Sequence, residues 1–136
     1  MKIKALLFLL TFAMVFTGCK KDNYIPNLEG TWTVTRSFGG YVDPLANPAA
    51  PINLQFRFSG NTVQLLVGGQ VVESGTFSLE QASRIINGDN VKYKLNLFTS
   101  AATGGYSVYI NVKGQILAMY VGEIAADGFV RIYERD

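Results

Sequence analysis

The chain has 136 residues, 49% hydrophobic and 16% charged, with one cysteine and no histidine. That composition removes the commonest zinc and copper ligands, the commonest general base, and any disulfide within the chain. The formal charge of +2 comes without a basic stripe, so there is no electrostatic case for nucleic acid.

Met1-Lys2-Ile3-Lys4 is a short basic opening, and Ala5 to Phe16 (ALLFLLTFAMVF) follows with no charge and no turn former. Thr17, Gly18 and Cys19 come next. Basic, apolar, then small is the order of a secretory leader, and the apolar run is shorter than the about 20 residues of a membrane span. Phe16-Thr17-Gly18-Cys19 resembles the lipobox of bacterial lipoproteins, although Phe16 stands where leucine is usual. The resemblance implies cleavage before Cys19 and lipid on its sulfur. Several acyl chains hold a protein on a bilayer where one does not. The alternative is a plain secreted protein with an exposed free thiol, a liability in an oxidising compartment. Residues 1–18 are thus expected to be a signal peptide and 19–27 a polar tether. The Cys-Lys-Lys-Asp start resembles lipoproteins of the Bacteroidota, which implies a place in the cell envelope on the outer membrane, facing either the periplasm or the exterior. Lys2 and Lys4 leave with the leader, so the remaining 118 residues carry ten basic and ten acidic side chains and suit a single domain, 28–136.

From Gly30 onward, apolar residues recur at every second position. Trp32 and Val34 alternate with Thr31, Thr33 and Thr35. Ile52, Leu54, Phe56 and Phe58 alternate with Asn53, Gln55 and Arg57. Val91, Tyr93, Leu95 and Leu97 do the same, as do Tyr106, Val108, Ile110 and Val112. Period two with one wet face predicts antiparallel strands. NTVQLLV, QVVESGTF, QILAMYV and FVRIYER are less regular strands, for a total of about eight. Ser59-Gly60-Asn61, Gly68-Gly69 and Lys113-Gly114 are hairpin turns, and Ala125 to Gly128 is a slightly longer one. Consecutive hairpins predict an all-β, eight-stranded antiparallel up-and-down barrel, since closure removes both sheet edges.

Two connections are longer. Gly39 to Pro51 holds three of the four prolines, Pro44, Pro48 and Pro51, which excludes helix and central strand. In Ser78 to Asn90, Ser78 and Gln81 resemble a capping box, and Leu79, Ala82, Ile85 and Ile86 share a helical face. That favours a short helix ended by Asn87-Gly88. A strand with Asn87-Gly88 as a hairpin turn is the other reading.

Gly30-x-Trp32 at the head of an eight-stranded meander resembles the lipocalins and the wider calycin group, and in particular short lipocalin-like lipoproteins of Bacteroidota. The resemblance covers roughly 28–136. It implies that Trp32 plugs one barrel end under an arginine from the last strand, with Arg131 favoured over Arg135. True lipocalins are longer, with a roomier cavity, and usually carry a disulfide, which this chain cannot form with its one cysteine.

An eight-stranded barrel is either filled by side chains or holds one small ligand. Phe56, Phe58, Leu65, Tyr93, Leu95, Val108, Ile110 and Tyr120 are expected to line it. They either form a plain core or surround a small apolar ligand. In the second case Phe56 and Phe58 give apolar contact, and Tyr41, Tyr93, Tyr106 and Tyr120 offer the hydroxyls that orient it, with the Gly39–Pro51 loop as a partial lid. Asp43, Glu73, Glu80, Asp89, Glu123 and Asp127 sit in no catalytic motif and read as solvated charges, so no enzyme, metal or cofactor is expected. Asn87 to Asn90 is too short for a calcium loop. A third possibility is an interaction module that presents the Pro-rich loop, with Leu45 and Ala46 at its tip, to an envelope or host protein.

Overall fold

The structure is a computed structural model and describes residues 24–39, 53–100, 103–123 and 126–136. The strands are β1 (Gly30–Gly39), β2 (Leu54–Ser59), β3 (Thr62–Val67), β4 (Gln70–Ile86), β5 (Asp89–Thr99), β6 (Tyr106–Lys113), β7 (Ile116–Val121) and β8 (Phe129–Arg135). Each pairs antiparallel with the next, and β1 pairs with β8, so the sheet closes into an up-and-down barrel. This is the architecture the lipocalin resemblance implies. Closure leaves no strand with an unpaired edge.

Alternation decides what lies inside. Phe56 and Phe58 of β2, Leu95 and Leu97 of β5, Val108 and Ile110 of β6, Leu117 and Met119 of β7 and Tyr133 of β8 join Trp32 in one contiguous core. Phe58 stacks near Phe56, 5.9 Å between centroids, and meets Phe77 edge-on at 4.9 Å, while Tyr133 meets Phe56 edge-on at 5.6 Å. These edge and offset contacts suit the ring quadrupoles. Three register shifts break the alternation: between Val34 and Arg36, between Leu65 and Leu66 opposite Glu73 and Val71, and between Gln81 and Arg84.

Residues 78–86 are strand, which corrects the expected helix. Ser78, Leu79 and Glu80 face Asn96, Leu95 and Lys94 across the ladder, so β5 supplies the backbone partners that a helix would have to find within itself. Leu79 packs on the core. Asn87 and Gly88, at φ 53° and 83°, form the two-residue turn, whose positive φ values let it match the right-handed twist of the paired strands. The helical spacing of Ala82, Ile85 and Ile86 arises because the bulge after Gln81 shifts the parity of the strand.

Beyond that bulge, residues 84–92 leave the barrel wall and form a flap on its outer surface. Ile86 and Val91, 1% and 0% exposed, pack on Ala118, Tyr120 and Val130, with Tyr109 and Ile132 at the margin. The Asn87 amide donates to the Glu123 carboxylate at 2.7 Å, and the Tyr120 hydroxyl donates to Asp89 at 2.9 Å. Asn111 holds the flap base, accepting from the Lys92 amide and donating to the Asn90 carbonyl. The Arg84 guanidinium stands 5.2 Å from the Tyr109 ring centre.

Candidate functional site

The two barrel ends differ. At one end the chain before β1 folds across the opening. Leu28 is buried, and its carbonyl accepts a 2.7 Å hydrogen bond from the Trp32 indole N–H. The Arg135 guanidinium lies 4.4 Å from the Trp32 ring centre and donates to the Asn27 carbonyl at 2.7 Å. The Tyr93 hydroxyl donates to the Tyr24 carbonyl at 3.0 Å. Glu29 accepts from the Gly60 amide in the β2–β3 turn. Asp136 closes the seam, its amide bonded to the Thr31 carbonyl and its carboxylate accepting from the Thr33 hydroxyl. This end is a plug. Its arginine is Arg135, directly opposite Trp32 in the register, and not the expected Arg131. Arg131 lies farther along β8, opposite Ser37, with its guanidinium 4.4 Å from the Phe129 ring centre.

The other end is the mouth. Tyr106 is directly opposite Leu97, Arg131 opposite Met119, and Glu73 opposite Leu65. Leu97 and Met119 belong to the core and Leu65 packs against it, so their cross-strand partners face the lumen. Thr99 follows Leu97 by two residues and shares its side of the strand. The Thr99 hydroxyl donates to the Glu73 carboxylate. Ser37 faces inward beside Arg131, and its Oγ is buried with no hydrogen-bond partner among the described residues. Tyr106 is 41% exposed, and its phenol is raised above the ordinary value of 10.0, first by burial, next by the Glu73 carboxylate, with Arg131 acting the other way. Both charges therefore stand near that hydroxyl. Phe56, Val108, Met119 and Tyr133 of the contiguous core, next along the same inward faces, make an apolar floor beneath the ring.

The six expected ligand residues scatter. Tyr41 lies outside the described residues. Phe56 and Phe58 are deep in the filled part of the lumen, packed on each other and on Tyr133 and Phe77. Tyr93 faces inward, but its hydroxyl is engaged by the plug. Tyr120 is opposite Tyr109 on the outer surface, under the flap, which corrects its expected place in the lumen. Burial comes first, then the hydrogen bond to Asp89, in raising its phenol above the ordinary range. Of the four tyrosines, Tyr106 is the one that the described residues place at the mouth. Glu73, read from sequence as a solvated charge, is its unexpected neighbour. The bulge beside Val72 hid Glu73 by breaking the alternation. Continuing the β5 and β6 periods to Thr99 and Tyr106 is the sequence signal that finds the rest of the ring.

The chain matches no protein-family model and no curated protein sequence.

Proposed function

We propose that the protein is a lipid-anchored envelope lipoprotein of the lipocalin-like kind, whose barrel binds a small, mainly apolar ligand at its mouth without catalysis. The observation that carries the reading is the mouth itself: five polar side chains, Ser37, Glu73, Thr99, Tyr106 and Arg131, converge over an apolar floor. A few convergent polar groups over an apolar surface are the usual make-up of a small-molecule site. The anchor is consistent with the plug. Tyr24 lies at the plugged end, and the stretch from Cys19 to Tyr24 spans at most about 20 Å when extended. Lipid on Cys19 would hold that end toward the outer membrane and point the mouth away from it. Tyr24 and Ile25, both exposed, would face the bilayer.

Displacement of a fluorescent lipid probe tests binding. The expected result is saturable one-to-one displacement, weakened at least about tenfold by Met119→Trp, which fills the floor. Absence of binding to the folded chain would end the reading. A second reading is supported by the aromatic cluster that occupies the lumen below the mouth: a filled barrel that serves as a scaffold for protein contact. In that case deletion of residues 40–50 would abolish capture of an envelope or host protein, whereas a ligand carrier would be indifferent to partner loss.

A further inference from the structure

Among the described residues facing the lumen at the mouth, Glu73 is the anion and Arg131 the cation. Glu73 and Arg131 face the lumen from opposite walls, β4 and β8, and each stands within electrostatic reach of the Tyr106 hydroxyl between them. Between these charges the described part of the ring is made of hydroxyls: Thr99, which donates to Glu73, Tyr106, and Ser37, whose Oγ is buried. Building on the mouth as a ligand site, we infer that it selects a neutral amphiphile, whose head group bears hydroxyl donors and a carbonyl acceptor, over the anion of a fatty acid.

Charge balance is the first reason. A carboxylate entering the ring gains Arg131 but meets Glu73 at similar range, and low-dielectric walls strengthen both effects. The attraction is largely cancelled, while the head still loses its hydration. A neutral head loses much less. Hydrogen-bond matching is the second reason. Glu73 is an acceptor with a second carboxylate oxygen besides the one bonded to Thr99, and suits a ligand O–H. Arg131 is a donor only, and suits an ester or amide carbonyl. Ser37 both donates and accepts, and a buried hydroxyl without a partner is costly, so a head group with both functions serves it best. A carboxylate offers acceptors alone and leaves Glu73 facing oxygen lone pairs. The tail is short, because Phe56, Tyr133 and Met119 already fill the lumen below the ring.

The test uses the full chain in lipid nanodiscs, with protein-free nanodiscs as the blank, titrated calorimetrically at neutral pH with 1-octanoylglycerol and with octanoate. The two probes share a chain length and differ in the head. The expected result is at least about tenfold tighter binding of 1-octanoylglycerol, and a gain of about tenfold for octanoate in Glu73→Gln, which removes the opposing charge and keeps a hydrogen-bonding side chain. Equal or tighter binding of octanoate to the natural sequence overturns the inference while leaving the mouth as a ligand site. Binding of neither probe overturns both. Should Glu73→Gln fold poorly, octanamide titrated at neutral pH gives the same comparison with the charge removed from the ligand alone. Tightening toward the glycerol ester supports the inference, and no change contradicts it.

Discussion

Trp32→Phe is the substitution with the most calculable consequence. Trp32 is fully buried, and its indole N–H is bonded to the Leu28 carbonyl at 2.7 Å. Phenylalanine keeps an aromatic ring but has no donor, so a buried carbonyl loses its partner at about 1–3 kcal/mol. The smaller ring also offers a weaker face to Arg135, now 4.4 Å from the indole centre, where a cation–π contact is worth about 0.5–2 kcal/mol. Together these put the loss at about 2–4 kcal/mol, a large part of the about 5–15 kcal/mol typical of a single domain. Urea unfolding followed by circular dichroism measures it. Combining Trp32→Phe with Arg135→Met isolates the ring–guanidinium coupling, expected at about 0.5–1 kcal/mol. Arg131→Met combined with Trp32→Phe should be additive, because Arg131 lies over Phe129 instead. A loss below about 0.5 kcal/mol for Trp32→Phe, the range of ordinary surface changes, would refute the plug. Coupling to Arg131 in place of Arg135 would refute its assigned geometry.

Other outcomes follow from the same structure. A Cβ on Gly75 would sit 2.0 Å from the Phe98 carbonyl oxygen, so Gly75→Ala should cost more than about 3 kcal/mol or prevent soluble expression, whereas Ala at the exposed Ser74 should change the unfolding midpoint little. Ile86→Ala should cost about 2–5 kcal/mol if the flap is docked, with hydrogen exchange rising first at residues 84–92 while β1 and β8 stay protected. Tyr106 and Tyr120 both have phenols raised above 10.0, so their neutral forms are favoured in the folded state. Their contribution is therefore fully present below pH 10 and is lost as pH rises through the higher folded values. Tyr120→Phe should flatten that alkaline loss, read from unfolding midpoints across an alkaline series. An unchanged slope would mean that Tyr120 is not held under the flap.

The barrel was legible where alternation ran unbroken. Leu54 to Phe58, Val91 to Leu97 and Tyr106 to Val112 carry period two from end to end, and each lies in the wall where expected, apart from Val91. Val91 marks the limit: the strand continues, but its end serves the outside of the barrel instead of the lumen. Misreadings gather at bulges, because one extra residue moves every later side chain to the other face. The bulge beside Val72 concealed Glu73, and the one after Gln81 gave β4 a helical look. Tyr120 was misplaced for another reason. In Ile116 to Val121 both faces are apolar, since the flap covers the outer one, so composition alone cannot choose between them. The choice of Arg135 over Arg131 required the register, which places Arg135 directly opposite Trp32.

The most direct measurement is an inter-strand nuclear Overhauser experiment on the isotope-labelled domain, reading contacts between β1 and β8. A closed barrel plugged at one end and polar at the other requires cross-peaks from Thr33 to Glu134 and from Ser37 to Arg131, with β1 amides protected on both sides. Missing cross-peaks together with rapid exchange along one edge of β1 would mean an open sheet, and neither a plug nor a mouth would then exist.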